Sequence, residues 1–226
     1  MLILAIDTSG PSGGISLAQA DEKSFRLIES AAIAGGTFSA QLIPTFAALL
    51  KKHGFGAGDI GGLVAASGPG SFTGLRVGLS AIKGLAETLH APIATVSVLE
   101  ALAMMSEHNG KIVALMDAGR KEVFLGAYDK SEQALVKERE QLLSQQDLIA
   151  ALNSGEPAWV ITHDASIAEL AAATHCAVSV VARPGSEIIA HIGAGKLLAG
   201  ETVSVEALDA NYLRRSDAEI FFKGNR

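Results

Sequence analysis

The chain has 226 residues, of which 49% are hydrophobic and 19% are charged, and its formal net charge is −6. This composition excludes a disordered chain, and no stretch reaches the ~18 unbroken apolar residues that a membrane helix needs. Its one cysteine, Cys176, cannot form an internal disulfide, which is typical of a reducing compartment. We predict an α/β protein with a cytoplasmic location and no contact with a membrane.

The first segments predict a hairpin of two strands with a carboxylate at its tip. An apolar strand, Leu2–Ile6, ends at Asp7, and after a run of turn residues Ile15–Ala18 alternates like a second strand. A third strand is expected near Phe25–Ala34. Apolar residues at helical spacing then predict a helix over Ser39–Lys52.

A glycine-rich segment, Ser67–Gly74, follows the predicted strand Leu63–Ala66 and precedes a helix that runs to about His90. The segment is similar to a phosphate-binding loop, but it does not match G-x-G-x-x-G and no lysine follows its last glycine. We therefore interpret these glycines as positions where another backbone approaches closely.

The helix after the glycines has two faces without charge. One is apolar and is expected to meet the core; it consists of Leu75, Leu79, Ile82, Ala86 and Leu89. The second consists mostly of small residues, namely Gly74, Gly78, Ala81 and Leu85. We predict that this second face packs against a helix of a partner, and the alternative is that both faces pack inside the monomer.

The pattern of the first hairpin returns halfway along the chain. The apolar strand Lys111–Asp117 again ends in aspartate, and a tight turn leads to a further strand, Glu122–Tyr128. Asp7 and Asp117 are 110 residues apart. Since each starts a series of alternating strands and helices, we predict a duplicated α/β fold.

Two similar lobes with aspartate-tipped hairpins are typical of the actin-like ATPase and sugar-kinase (ASKHA, ribonuclease H-like) architecture. We predict an N-terminal lobe over residues 1–107 with the partner-binding helices, and a C-terminal lobe over 108–226. Its last helix, Ser186–Leu198, is able to pack back on the first lobe.

In that architecture the paired hairpins hold the phosphates and magnesium of ATP. The first hairpin offers Asp7, Thr8 and Ser9 as a remnant nucleotide loop, whereas the second turn, Asp117–Arg120, has no hydroxyl. We interpret Asp7 as a structural turn residue, with the nucleotide loop as the alternative. No two histidines are spaced i, i+4, the spacing that places two zinc ligands on one face of a helix. We assign no catalytic residue, no metal site and no cofactor to this chain.

Several motifs in order along the chain resemble the TsaB (YeaZ) family. They are Ile3–Ser9, Ser67–Leu79, Val96–Leu102, Tyr212–Arg214 and the pair Ala218-Glu219. The match spans essentially the whole chain, and the glycine segment is highly specific. Asn211 stands where the family often has proline.

The resemblance implies a non-catalytic subunit for threonylcarbamoylation of the tRNA adenosine next to the anticodon. It implies binding to the catalytic paralogue TsaD and the ATPase TsaE, and a homodimer when the protein is isolated. The family pairs through helices of the N-terminal lobe, which adds Leu42 and Phe46 to the predicted interface. The alternatives are a phosphotransferase of the sugar-kinase type, which would bind ATP, and a metal-dependent enzyme similar to a glycoprotease.

The charge pattern suggests that tRNA is contacted only indirectly. The densest basic runs are the pairs Lys51-Lys52, Arg120-Lys121 and Arg214-Arg215, in a chain with 24 acidic and 18 basic residues. A protein that holds nucleic acid by itself normally carries a larger basic patch.

Overall fold

The computed structural model describes residues 1–132, 134–156 and 158–213, so that Arg214–Arg226, with the ends of the C-terminal motifs, lie outside the described residues. The strands are β1 (Leu2–Asp7), β2 (Ser12–Asp21), β3 (Ser24–Ala34), β4 (Ile60–Gly68), β5 (Ile93–Ser97), β6 (Gly110–Gly119), β7 (Glu122–Lys130), β8 (Leu135–Ser144), β9 (Trp159–Thr162) and β10 (Ala177–Val180). The helices are α1 (Phe38–His53), α2 (Phe72–Leu89), α3 (Val98–Met104), α4 (Gln145–Ser154), α5 (Ala165–Ala172) and α6 (Ser186–Leu198), and Ala57–Asp59 forms one 3-10 turn.

The first compact unit contains Met1–Ala101 and Pro184–Ala210. Its sheet has the order β3-β2-β1-β4-β5, in which β1 is antiparallel to β2 and parallel to β4. Every residue of β1 is buried, as expected for a central strand that is covered on both faces. The predicted hairpin and third strand are therefore confirmed.

Three helices, α1, α2 and α6, pack on this sheet. The predicted core face of α2 is confirmed, since Leu75, Leu79 and Ile82 are buried in the core of the unit. The helix α6 is fixed by Lys196, whose Nζ donates to Glu100 Oε2 at 2.7 Å and to the carbonyl of Thr95 at 3.0 Å.

The grouping of residues differs from the predicted lobe boundary between residues 107 and 108. The first segment of this unit ends at Ala101, and its second segment, Pro184–Ala210, contributes α6, which packs on β1, β2 and β4. A capping box starts α3, because Glu100 Oε2 accepts from the Ser97 N–H at 3.3 Å and Ser97 Oγ accepts from the Leu99 N–H at 3.2 Å.

The second unit contains Leu102–Arg183 together with Asn211, Tyr212 and Leu213. Its sheet has the order β8-β7-β6-β9-β10, with β6 antiparallel to β7 and parallel to β9. Counted within its own unit, each sheet thus has the strand order 3-2-1-4-5. This repeat confirms the predicted duplicated actin-like α/β architecture.

One strand of the second unit was not predicted. The edge strand β8 contains the charged run Lys137–Arg139 and is exposed or half-buried along its whole length. It lacks the alternation that reveals a half-buried strand, because one edge and much of both faces meet solvent. Among the described helices none is long and apolar enough to cross a membrane.

Candidate functional site

The turn after β1 holds Asp7, Thr8 and Ser9, the predicted remnant nucleotide loop, and each of the three is only 2% exposed. Asp7 Oδ1 accepts hydrogen bonds from the N–H and the Oγ of Ser9, at 2.8 and 2.5 Å. Thr8 Oγ1 donates to the carbonyl of Gly74 at 2.7 Å. The polar atoms that a nucleotide loop would offer to a phosphate therefore form hydrogen bonds within the first unit, as in a structural turn.

The turn packs against the small residues of α2. A Cβ atom at Gly74 would lie 2.0 Å from the carbonyl oxygen of Thr8, and one at Gly78 would lie 2.3 Å from Thr8 Oγ1. The prediction that Gly74 and Gly78 face a partner helix is wrong, since both face the first turn of their own unit. The glycines are required because no Cβ fits at such distances.

The other predicted interface residues lie deeper than expected. Leu42 is 2% and Phe46 is 6% exposed, and both belong to the core of the first unit. Assigning Phe46 to a partner surface was wrong, because its side chain is on the core face of α1. Ala81 and Leu85 are half-buried and pack against the same core.

An open groove of about 500 Å³ lies between α1 and α2. Its lining consists of Phe38, Ser39, Leu42, Ile43, Phe72, Thr73, Arg76, Val77, Ser80 and Ala81. Leu42 and Ala81 are therefore the predicted interface residues that line it. Ile43 is 50% exposed and Phe72 is 37% exposed, which makes them unusually accessible for large apolar side chains.

A cation lies beside this apolar surface. The guanidinium carbon of Arg76 is 3.7 Å from the centroid of the Phe72 ring, within the distance of a cation–π interaction. This contact places a donor-rich planar group next to an apolar groove. Such a combination of aromatic and arginine is enriched at protein interfaces.

The outward side of α1 continues the apolar surface. No charged residue occurs from Phe38 to Leu50, and the exposed positions of this stretch include Ile43, Pro44 and Ala47. A helix at the surface of a monomer normally has charged residues on its exposed side. Our sequence prediction missed these three positions, although the absence of charge before Lys51 was a readable signal.

The corresponding turn of the second unit is built differently. Asp117 is exposed, its Oδ1 accepts from the Gly119 N–H at 2.8 Å, and its own N–H donates to Asp164 Oδ2 at 2.7 Å. The two residues at the tip, Arg120 and Lys121, have φ values of 57° and 62°. The turn thus presents two basic side chains and a carboxylate, and no hydroxyl group.

His163 lies next to this turn, at the end of β9. Its Nε2 is 3.3 Å from an Nη atom of Arg183 and 3.5 Å from Asp164 Oδ1. Burial lowers the pKa of His163 below its ordinary value of 6.5, with a smaller lowering by Arg183 and an opposing rise from Asp164. Across the described parts of the chain, no three His, Cys, Asp or Glu residues are grouped so as to hold a metal ion.

Comparisons with known proteins place the sequence near one group of tRNA-modification proteins. Residues 32–183 match the family model described as TsaD, tRNA N6-adenosine threonylcarbamoyltransferase. The chain is 32% identical to the tRNA threonylcarbamoyladenosine biosynthesis protein TsaB of Bacillus subtilis over 97% of this chain and 96% of that protein. It is 29% identical to the Escherichia coli protein of the same name, over 79% of this chain and 81% of that protein.

Solved structures show the same fold. A Pseudomonas aeruginosa protein described as similar to peptidase YeaZ superposes with a TM-score of 0.75 at 23% identity, over 94% of this chain and 99% of that one. A second structure, YeaZ from Pseudomonas aeruginosa, has a TM-score of 0.74 at 22% identity, over 93% and 100% of the two chains.

Proposed function

This chain belongs to the TsaB family, and we propose that it is an accessory subunit of tRNA threonylcarbamoyladenosine biosynthesis that binds its TsaD paralogue through the α1–α2 groove. The observation that carries the proposal is the uncharged outer side of α1, which continues into the groove at Ile43 and Phe72. An apolar surface of this kind on a soluble protein marks a contact with another protein.

The similarity to TsaD supports that choice of partner. The matched residues 32–183 include both α1 and α2, so a TsaD paralogue is expected to carry a related pair of helices. Two related pairs can pack against each other around an approximate twofold axis, as the two copies in a homodimer do. We propose the same surface for a homodimer of the isolated chain, and TsaE as a further component that joins the pair with TsaD.

We propose that this subunit does not itself carry out the transfer. The turn at Asp7 is buried against α2, and the turn at Asp117 has no hydroxyl to bind a phosphate. The catalytic step is therefore assigned to the partner. Neither ATP-dependent phosphotransfer nor a metal-dependent glycoprotease activity is favoured by any group in the described residues.

The experiment compares binding and modification for matched variants. Ile43→Asp places a charge in the groove, whereas Val136→Asp replaces an apolar side chain of similar exposure, 59%, on β8 outside the groove. Calorimetry with the TsaD paralogue from the same cell should show at least about tenfold weaker binding for Ile43→Asp, which corresponds to ~1.4 kcal/mol. Val136→Asp should bind like the wild type.

Reconstitution of the tRNA modification provides the second measurement. Modification should need both proteins and should fall with Ile43→Asp in step with the loss of binding. Equal binding by the two variants would show that the groove is not the interface. Transfer of threonylcarbamoyl to tRNA by this chain alone would show that the accessory role is wrong.

A further inference from the structure

The turn after β1 packs closely against the N-terminal half of α2. Besides the contacts of Thr8 at Gly74 and Gly78, a Cβ atom at Gly70 would lie 2.2 Å from the carbonyl oxygen of Ser9. Three glycines spaced four residues apart thus bring the turn against the start of the helix. Thr8 lies at the centre of this contact, with its side chain directly over Gly78.

Hydrogen bonds fix the same contact. Thr8 Oγ1 donates to the carbonyl of Gly74 at 2.7 Å, and the Ser71 N–H donates to the carbonyl of Ser9 at 2.8 Å. Both bonds are between groups far apart in sequence. Since the buried bond between Thr8 and Gly74 is costly to break, it holds the turn against the first half of α2.

The other side of the same helical segment forms a wall of the groove. Phe72, Arg76 and Val77 line the groove, whereas Gly74 and Gly78 face the turn. A shift of α2 at Thr8 therefore changes the distance between α2 and α1.

We propose that Thr8 is a positioning residue for partner binding, because its side chain sets how closely α2 lies to the first turn and so sets the width of the groove. This inference rests on the proposed function of the groove. A turn that in the parent architecture would approach a ligand is used here to hold the helix that binds the partner.

The test is a pair of complementary substitutions. Gly78→Ala introduces a methyl group 2.3 Å from Thr8 Oγ1, whereas after Thr8→Ala the nearest remaining atom is the Cβ of residue 8, at 3.4 Å, an ordinary contact. Gly78→Ala alone should therefore weaken binding to the TsaD paralogue about tenfold or more. The double variant Thr8→Ala/Gly78→Ala should bind within about threefold of Thr8→Ala alone, since the overlap is relieved.

Gly84→Ala is the matched control, because Gly84 is in the same helix and its Cβ would meet nothing within 4 Å. It should leave binding unchanged and raise the unfolding midpoint, as alanine favours a helix. All dissociation constants are measured at a temperature at which circular dichroism shows each variant folded. A merely structural role would move the unfolding midpoint but not these dissociation constants.

A second measurement reads the groove without the partner. Spin labels at Ala48→Cys on α1 and Ser80→Cys on α2, in a Cys176→Ala background, report the distance between the helices. Gly78→Ala should change that distance and the double variant should restore it. If wild-type protein does not bind the paralogue, the proposed function fails, while this distance still tests Thr8.

Two outcomes would overturn the role of Thr8. One is a folded Gly78→Ala variant with unchanged helix distance and unchanged binding. The other is a double variant as defective as Gly78→Ala alone, which would place the cause of the defect outside the contact. If Gly78→Ala does not fold, Thr8→Val replaces it, since valine keeps the shape but loses the bond to Gly74; unchanged binding and helix distance would then reject the proposal.

Discussion

At the scale of single residues, His163 shows how burial sets a charge state. Its side chain is 14% exposed, it accepts from Arg183, and burial is the main cause of its lowered pKa. In the unfolded chain the imidazole takes up a proton near pH 6.5, whereas in the folded protein it does so only at lower pH. The unfolded state thus binds more protons between the two pKa values.

The second unit should therefore lose stability as the pH falls from 6.5 through the lowered pKa of His163, and should have the full contribution above 6.5. The measurement is an NMR titration of the His163 ring, whose midpoint should lie below 6.5. Asp164→Asn should lower the midpoint further, because the carboxylate favours the charged ring. A midpoint at or above 6.5 would contradict this assignment.

At the scale of elements, the β6–β7 hairpin has a turn that its sequence does not favour. Gly119 pairs with Glu122, and the two residues between them, Arg120 and Lys121, both have positive φ. A two-residue turn of this form usually contains Asn-Gly, because a side chain in the left-handed region costs energy. The duplicated fold imposes the turn, since the strands pair on both sides of it.

Replacing Lys121 by glycine should stabilise the second unit by about 0.5–1 kcal/mol, the relief of strain less the extra freedom of glycine in the unfolded chain. The free energy of unfolding in urea is the measurement. Lys121→Ala is the control for loss of the lysine and should change stability little, because alanine keeps the strain. A glycine variant no more stable than the alanine variant would show that Lys121 is not strained.

At the scale of the whole molecule, charge limits what the protein can hold alone. The chain has 24 acidic and 18 basic residues, and several cations are already paired, such as Lys52 with Glu29 and Lys111 with Glu138. Affinity for a tRNA backbone depends on how many cations contact its phosphates, and an acidic excess opposes its approach.

The isolated protein should therefore bind tRNA only weakly, with a dissociation constant well above about 1 μM at physiological salt. Fluorescence anisotropy with labelled tRNA measures this, and the purified complex with the TsaD paralogue serves as the comparison. Submicromolar binding by this chain alone would show that the charge argument is misleading.

The sequence by itself determined the duplication and the core face of α2. Asp7 ends β1 and Asp117 lies near the end of β6, each after a run of apolar residues, and this repeat predicted two similar units because apolar runs and turn residues are local signals. The close backbone approach at Gly74 was also readable, since only glycine lacks a Cβ. The strand β8 was not, because an edge strand needs no alternation of apolar residues.

Only the tertiary structure decided what approaches Gly74 and Gly78 and which apolar residues stay exposed. Helical periodicity shows that α2 has two uncharged faces, but it contains no information on whether a turn of the same unit or a partner covers the second one. The answer depends on Thr8, 66 residues earlier in the chain than Gly74. A contact between distant segments is fixed by how strands and helices pack in three dimensions, and local pattern cannot specify it.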